Sequence, residues 1–254
     1  MRPGTWYEGR TSLELLQGEA WAWIGLCSAD GLNRLHSDLL VALDQLFIEL
    51  RWAGTRRVAL SGAALMAGVP SGLGQDSTQE APGGTSRASA SRRAPPAPSA
   101  RGHHFSAGAD LHEVGALDAV SADPFSRRGQ RVMAHLLWPG WHSLTVISGV
   151  AMGGGCDLAL HGQERWAVAA DGEGRHGLRL AHPAAKHGIL TGFGGTVRLP
   201  ELLGQGGADR LFRHFETWGE ETAQASGAVH RILDSHCVEE EVRAWLAASG
   251  SPRR

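Results

Sequence analysis

The sequence predicts an α/β layered fold in which much of the strand pairing is parallel. Short extended runs rich in apolar residues alternate along the chain with segments whose apolar residues recur at helical spacing. Two glycine-rich turns each lead into a helix, the usual junction of such a fold. Length agrees: 254 residues, 42% hydrophobic and 20% charged, suit one domain with or without an appendage.

The elements follow in order. Residues 21–26, Trp-Ala-Trp-Ile-Gly-Leu, carry the alternation of a half-buried strand. Leu39, Leu40, Leu43, Leu46, Phe47 and Leu50 recur at helical spacing, with Asp38, Asp44 and Glu49 on other faces. Residues 57–61 form a short strand that stops at Gly62. From 66 to 102 the chain is Gly, Ser, Ala, Pro and Arg with almost no large apolar residue. Such a stretch buries too little surface to offset about 1–2 kcal/mol of backbone entropy per residue. It is read as a disordered insertion dividing a domain of residues 1–65 and 103–254; its Arg87, Arg92, Arg93 and Arg101 leave a docking segment as the alternative. Beyond it, 111–117 and 127–137 read as helices, 144–148 as a strand, 149–155 as a turn, 156–160 as a short apolar helix and 165–170 as a strand. Residues 239–247 form an amphipathic helix.

Composition excludes several classes. Twenty-four Lys+Arg against twenty-six Asp+Glu give a net charge of -2, without the basic excess that nucleic acid demands. Lys186 is the one lysine, so phosphate contacts would fall to arginine. Cys27, Cys156 and Cys237 are odd in number and far apart, which points to free thiols in a reducing, cytoplasmic setting. No run approaches the roughly 18 apolar residues of a membrane span, and residues 1–10 lack the apolar core of a signal peptide.

The chemistry concentrates at the two glycine turns, Phe105-Ser-Ala-Gly-Ala-Asp-Leu and Gly149-Val-Ala-Met-Gly-Gly-Gly-Cys-Asp-Leu. Glycine permits close backbone approach, and a helix start presents unpaired N–H groups with a favourable dipole. Neither turn has a phosphate-loop or dinucleotide pattern, nor the lysine of the former. Two N–H donors converging on a carbonyl oxygen is the better reading. There is no G-x-S-x-G elbow and no H-E-x-x-H, and the thirteen histidines show no ligand spacing, so no metal is expected. Trp138 and Trp141 read as core or subunit-contact residues.

These turns resemble the enoyl-CoA hydratase/isomerase (crotonase) superfamily. Gly192-Phe-Gly-Gly-Thr-Val-Arg-Leu-Pro, Ala181-His-Pro before Lys186-His-Gly-Ile, Trp23-Ile-Gly-Leu and Ala29-Asp-Gly-Leu-Asn-Arg-Leu extend the likeness over residues 17–63 and 103–246. The resemblance implies a spiral of ββα repeats with C-terminal helices, shortened here, binding an acyl-CoA thioester. It implies thioester-oxygen donors at the amides of Ala109 and Gly154, and CoA contacts at Ala29, Asp30, Leu32, Ala107 and Ala109. The coenzyme A arrives with the substrate, so no separate cofactor is implied. The expected assembly is a homotrimer or hexamer.

Hydratases of this family carry a glutamate where this chain has Asp157, and a second after a proline, where this chain has Ala184. Asp157 is the expected acid/base. Ala184 cannot take up a proton, which argues against ordinary hydration. His112, His182 and His187 are candidates to replace it, and Asp110 reads as a helix cap. Three functions follow: hydratase/isomerase chemistry on a thioester enolate, decarboxylation or thioester hydrolysis at the same oxygen site, or acyl-CoA binding without catalysis. A polar hairpin at 171–177 is a further departure from the family pattern.

Overall fold

The computed structural model describes residues 4–66, 104–172 and 177–248. The proposed insertion, apart from Met66, lies outside the described residues, as do His103 and the tip of the 171–177 hairpin. The elements are β1 (Gly4–Tyr7), β2 (Thr11–Gln17), β3 (Trp21–Ser28), α1 (Ser37–Trp52), β4 (Arg57–Gly62), α2 (Leu111–Gly115), α3 (Ala122–Leu136) and β5 (His142–Ile147). After them come β6 (Val150–Met152), α4 (Gly154–Leu160), β7 (Glu164–Val168), β8 (Arg179–Ala181), α5 (Gly195–Phe212), β9 (Thr217–Trp218), α6 (Glu220–Ala225), β10 (Arg231–Leu233) and α7 (Val238–Ala247). Seven strands form one sheet in the order β1-β2-β3-β4-β5-β7-β10, antiparallel from β1 to β3 and parallel from β3 onward. A small second sheet, β6-β8-β9, carries the site.

The parallel strands are covered on both faces, which corrects the half-buried reading of residues 21–26. Ile24 and Leu26 point into a core closed by Leu39, Leu43 and Phe47 of α1 and Val132 and Leu136 of α3. Trp23 points the other way, into a second core with Ala59, Leu144, Val146 and the α7 residues Val238, Val242 and Leu246. Burying its indole leaves one N–H to satisfy, and Trp23 Nε1 donates to Ser61 Oγ at 2.9 Å. A strand sandwiched between two layers has no polar face to show. Met66, placed at the edge of the insertion, is buried in this second core. Trp141 is buried beside Phe47, whereas Trp138 is partly exposed under the Arg51 guanidinium, 3.5 Å from its ring centre.

Other boundaries move for local reasons. Helix α3 starts five residues before the expected 127, with Asp123 in its first turn where the helix dipole favours an acid. The turn read over 149–155 contains strand β6, whose partner β8 lies far along the chain. The turn before β8 is held at its stem by Glu220, whose Oε1 accepts from Ala170 N at 3.1 Å and Leu178 N at 3.2 Å. Helix α5 breaks at Gly204, where φ is 69°.

Burial has a consequence for acid stability. His36, His135, His142, His161 and His230 are each pushed below the ordinary histidine range, first of all by desolvation. The unfolded chain, titrating near about 6.5, then binds more protons than the folded one, so stability rises with pH. It is fully present above that value and declines as pH falls through it toward the depressed folded-state values. Urea midpoints measured from pH 8 to pH 5 should fall, steepening below about 6.5; a flat profile would contradict this.

Candidate functional site

The two glycine turns meet. Segment 105–110 threads between the loop after β3 and strand β6, and its backbone bonds account for nearly every group. Ala107 N donates to Leu32 O at 2.8 Å, Leu35 N to Gly108 O at 2.8 Å and Asp110 N to Leu35 O at 3.1 Å. On the other side Ser106 N donates to Val150 O and Met152 N to Ser106 O, both at 3.0 Å. The Ser106 hydroxyl donates to Asn33 O at 2.7 Å and accepts from Gly108 N at 3.1 Å.

One amide is left over in this pattern. Leu35 takes its two bonds from the residues flanking Ala109, so the Ala109 N–H faces away from that loop. Gly154 opens α4, where an N–H has no intrahelical acceptor. Among the described residues neither amide donates to a protein acceptor. They lie close: a Cβ built on Gly154 would sit 3.5 Å from Ala109 N. Covalent geometry then keeps the two nitrogens within about 6 Å. One oxygen at about 2.7–3.1 Å from each can span that gap.

Glycine is required here. Gly108 has φ 92°, and a Cβ on it would overlap the Met152 carbonyl oxygen and lie 3.1 Å from Gly154 N. Gly153 has φ 53° with ψ -122°, a region that L side chains avoid.

Ala109 and Gly154 both line a cavity of about 480 Å³. Ala107, Ala109, Met152, Gly153 and Gly154 form one wall; Leu111, Val114 and Phe125 of α2 and α3, with Ile189, Leu190 and Phe193, form an apolar remainder. Phe193 packs on Phe125 with ring centres 5.3 Å apart. Pro183 and Ala184 also line the cavity, so the position that the resemblance matched to a second carboxylate is an alanine there.

Asp157 sits behind this wall rather than in it. It is fully buried and absent from the lining, and its carboxylate accepts from Thr191 Oγ at Oδ2 and meets His182 Nε2 at 3.2 Å from Oδ1. Those two partners do line the cavity. His182 is brought there by the small sheet: Met152 pairs with Ala181, and Gly153 N donates to Ala181 O at 3.0 Å. Thr191 and Phe193 were not anticipated from the sequence, where only their position around the Gly192 motif marked them.

Asp110, His112, Ala29, Asp30 and Leu32 do not line the cavity. His112 is exposed on α2. Asp110 caps α2, accepting from His112 N at 2.9 Å and Glu113 N at 3.3 Å. The His187 side chain lies outside the described residues. Ala29 and Asp30 are exposed and Leu32 half-buried, on a loop held against Ala107 by the Leu32 carbonyl. Asp30 braces that loop, accepting from Ser28 Oγ at 2.8 Å and Leu32 N at 3.0 Å, and pairing with Arg34.

A parallel-rich sheet, a small satellite sheet and a glycine-built cavity wall define an α/β protein of crotonase fold. The fold is shared with DspI of Pseudomonas aeruginosa, at a TM-score of 0.70 and 25% identity over 96% of this chain and 77% of that one. It is shared too with an enoyl-CoA hydratase of Bacillus anthracis, at a TM-score of 0.67 and 23% identity over 96% and 78%. The chain belongs to the enoyl-CoA hydratase/isomerase family, whose model matches residues 99–251. It is 31% identical over 139 residues to the crotonyl-CoA hydratase of Syntrophomonas wolfei, covering 55% of this chain and 51% of that protein. A probable enoyl-CoA hydratase of Mycobacterium tuberculosis is 33% identical over 143 residues, with the same coverage. The chain thus spans about half the length of the curated relatives it matches. Among the described residues no helix is long and apolar enough to cross a membrane.

Proposed function

We propose that this chain acts on acyl-CoA thioesters by hydratase/isomerase-type chemistry, its Ala109 and Gly154 amides holding the thioester oxygen as that atom gains negative charge. The observation that carries the reading is the pair of acceptor-free N–H groups within about 6 Å of each other at one apolar cavity. Such donors are worth most where charge develops away from water. The apolar lining accepts the acyl chain. The 29–32 loop and Ala107, adjacent to the amides, are assigned to the CoA. Asp157 supplies the negative charge of the proton-handling group. A homotrimer or hexamer in the cytoplasm completes the reading, and light scattering measures the assembly.

Loss of crotonyl-CoA, followed at the enoyl absorbance band, tests the reading. The wild-type protein should consume it, and Asp157→Ala should be slower by at least about 100-fold, the usual scale of acid–base assistance. Equal rates for the two would dismiss the assignment.

Ala184 favours a second reading. In decarboxylation, or in thioester hydrolysis by a water from solvent, the oxygen site matters more than a carboxylate pair, and release of carbon dioxide or free CoA from a thioester panel would reveal either. Calorimetric binding of acyl-CoA with no turnover on any thioester would instead mark a binding protein.

A further inference from the structure

We propose that His182 is the group that takes and returns the proton at the substrate Cα, with Asp157 as its positioning residue. This rests on the acyl-CoA reading above and names the atom that performs its proton step. The imidazole is 1% exposed yet lines the cavity, beside the wall that carries Gly154. Its Nε2 faces Asp157 Oδ1 at 3.2 Å, while among the described residues its Nδ1 makes no hydrogen bond. A carboxylate at Nε2 assigns the ring proton to that nitrogen and leaves Nδ1 with a lone pair.

Asp157 is held in turn. Thr191 donates to its other oxygen, and the residue lies in the first turn of α4, where the helix dipole favours an anion. The carboxylate therefore orients the imidazole and stabilises it once charged, without touching substrate. In the step, the Cα–H bond breaks and the proton goes to Nδ1. The bond's electron pair forms the enolate C=C, and the charge settles on the oxygen between Ala109 and Gly154. Reversal returns a proton to Cα. Ala184, two positions further on, is then no loss to this step, because His182 performs it.

Exchange of the Cα protons of butyryl-CoA in deuterium oxide, read by mass spectrometry, tests the assignment. Wild type should exchange. His182→Gln, whose amide can still donate to Asp157, should lose at least about 100-fold in rate with butyryl-CoA affinity changed less than about threefold. Asp157→Asn should fall in rate but keep affinity. Exchange that persists at the wild-type rate in His182→Gln overturns the role of His182 while leaving the amide pair standing; no exchange by wild type overturns both. Nitrogen-15 shifts of the wild-type His182 ring need no variant to fold: the Nε2–H tautomer supports the assignment, and an Nδ1–H tautomer overturns it.

Discussion

Converting the Ala109 amide to an ester, by placing lactate at position 109 through semisynthesis, should lower kcat on an accepted thioester by about 10²–10³-fold, or about 2.7–4 kcal/mol of transition-state stabilisation. Folding stability should fall by less than in the ester at position 110. That contrast follows from the hydrogen-bond pattern: the Ala109 N–H has no protein acceptor, so its removal breaks no bond, and the ester only weakens the Gly108 carbonyl as acceptor of Leu35 N. The neighbouring Asp110 N–H does bond, to Leu35 O at 3.1 Å. An ester there should cost about 0.5–1.5 kcal/mol of stability and leave the oxygen site with both donors. Rate assays and urea unfolding on the two esters give a crossed result if the amides act as assigned. Unchanged kcat in the Ala109 ester would remove this donor from the chemistry.

Gly195→Ala should damage both folding and activity, although it adds one methyl at a helix start. The new Cβ would overlap Asp157 Oδ1 and stand 2.8 Å from its Cγ. Asp157 cannot swing aside freely, because it is fully buried and tied to Thr191 and His182. Either α5 moves away from α4 or the carboxylate surrenders a partner. Overpacking costs about 1–3 kcal/mol, and a stranded buried polar group costs about as much again. Urea unfolding should therefore show a loss of at least about 2 kcal/mol, with thioester turnover falling by at least about tenfold because His182 loses its brace. A variant as stable and as active as wild type would mean the Asp157 carboxylate has room that its packing denies.

The same residues show why parts of the site were legible beforehand. Gly108 and Gly153 mark their own conformations, because positive φ and close backbone approach are demands glycine meets locally. The family resemblance those turns carry is what implied Ala109 and Gly154. The parallel sheet was legible too, through apolar runs alternating with helical periodicity, although the two-sided burial of Trp23 and Ile24 was not. Strand β6 and the brace on Asp157 were hidden for one reason. Their partners lie far away in the chain: His182 is 25 residues from Asp157 and Thr191 is 34. No local pattern encodes which side chain a buried carboxylate will meet.

By itself, then, the order of residues determined the α/β class and the two glycine turns, and the resemblance those turns carry implied the Ala109 and Gly154 amides and a missing carboxylate at Ala184, all of them matters of residue identity within a few positions. Tertiary structure alone decided that Asp157 lies behind the cavity wall and that His182 and Thr191 stand between it and the cavity. Pairing of β6 with β8 sets that arrangement, and such pairing depends on how distant segments pack rather than on either segment's own preference.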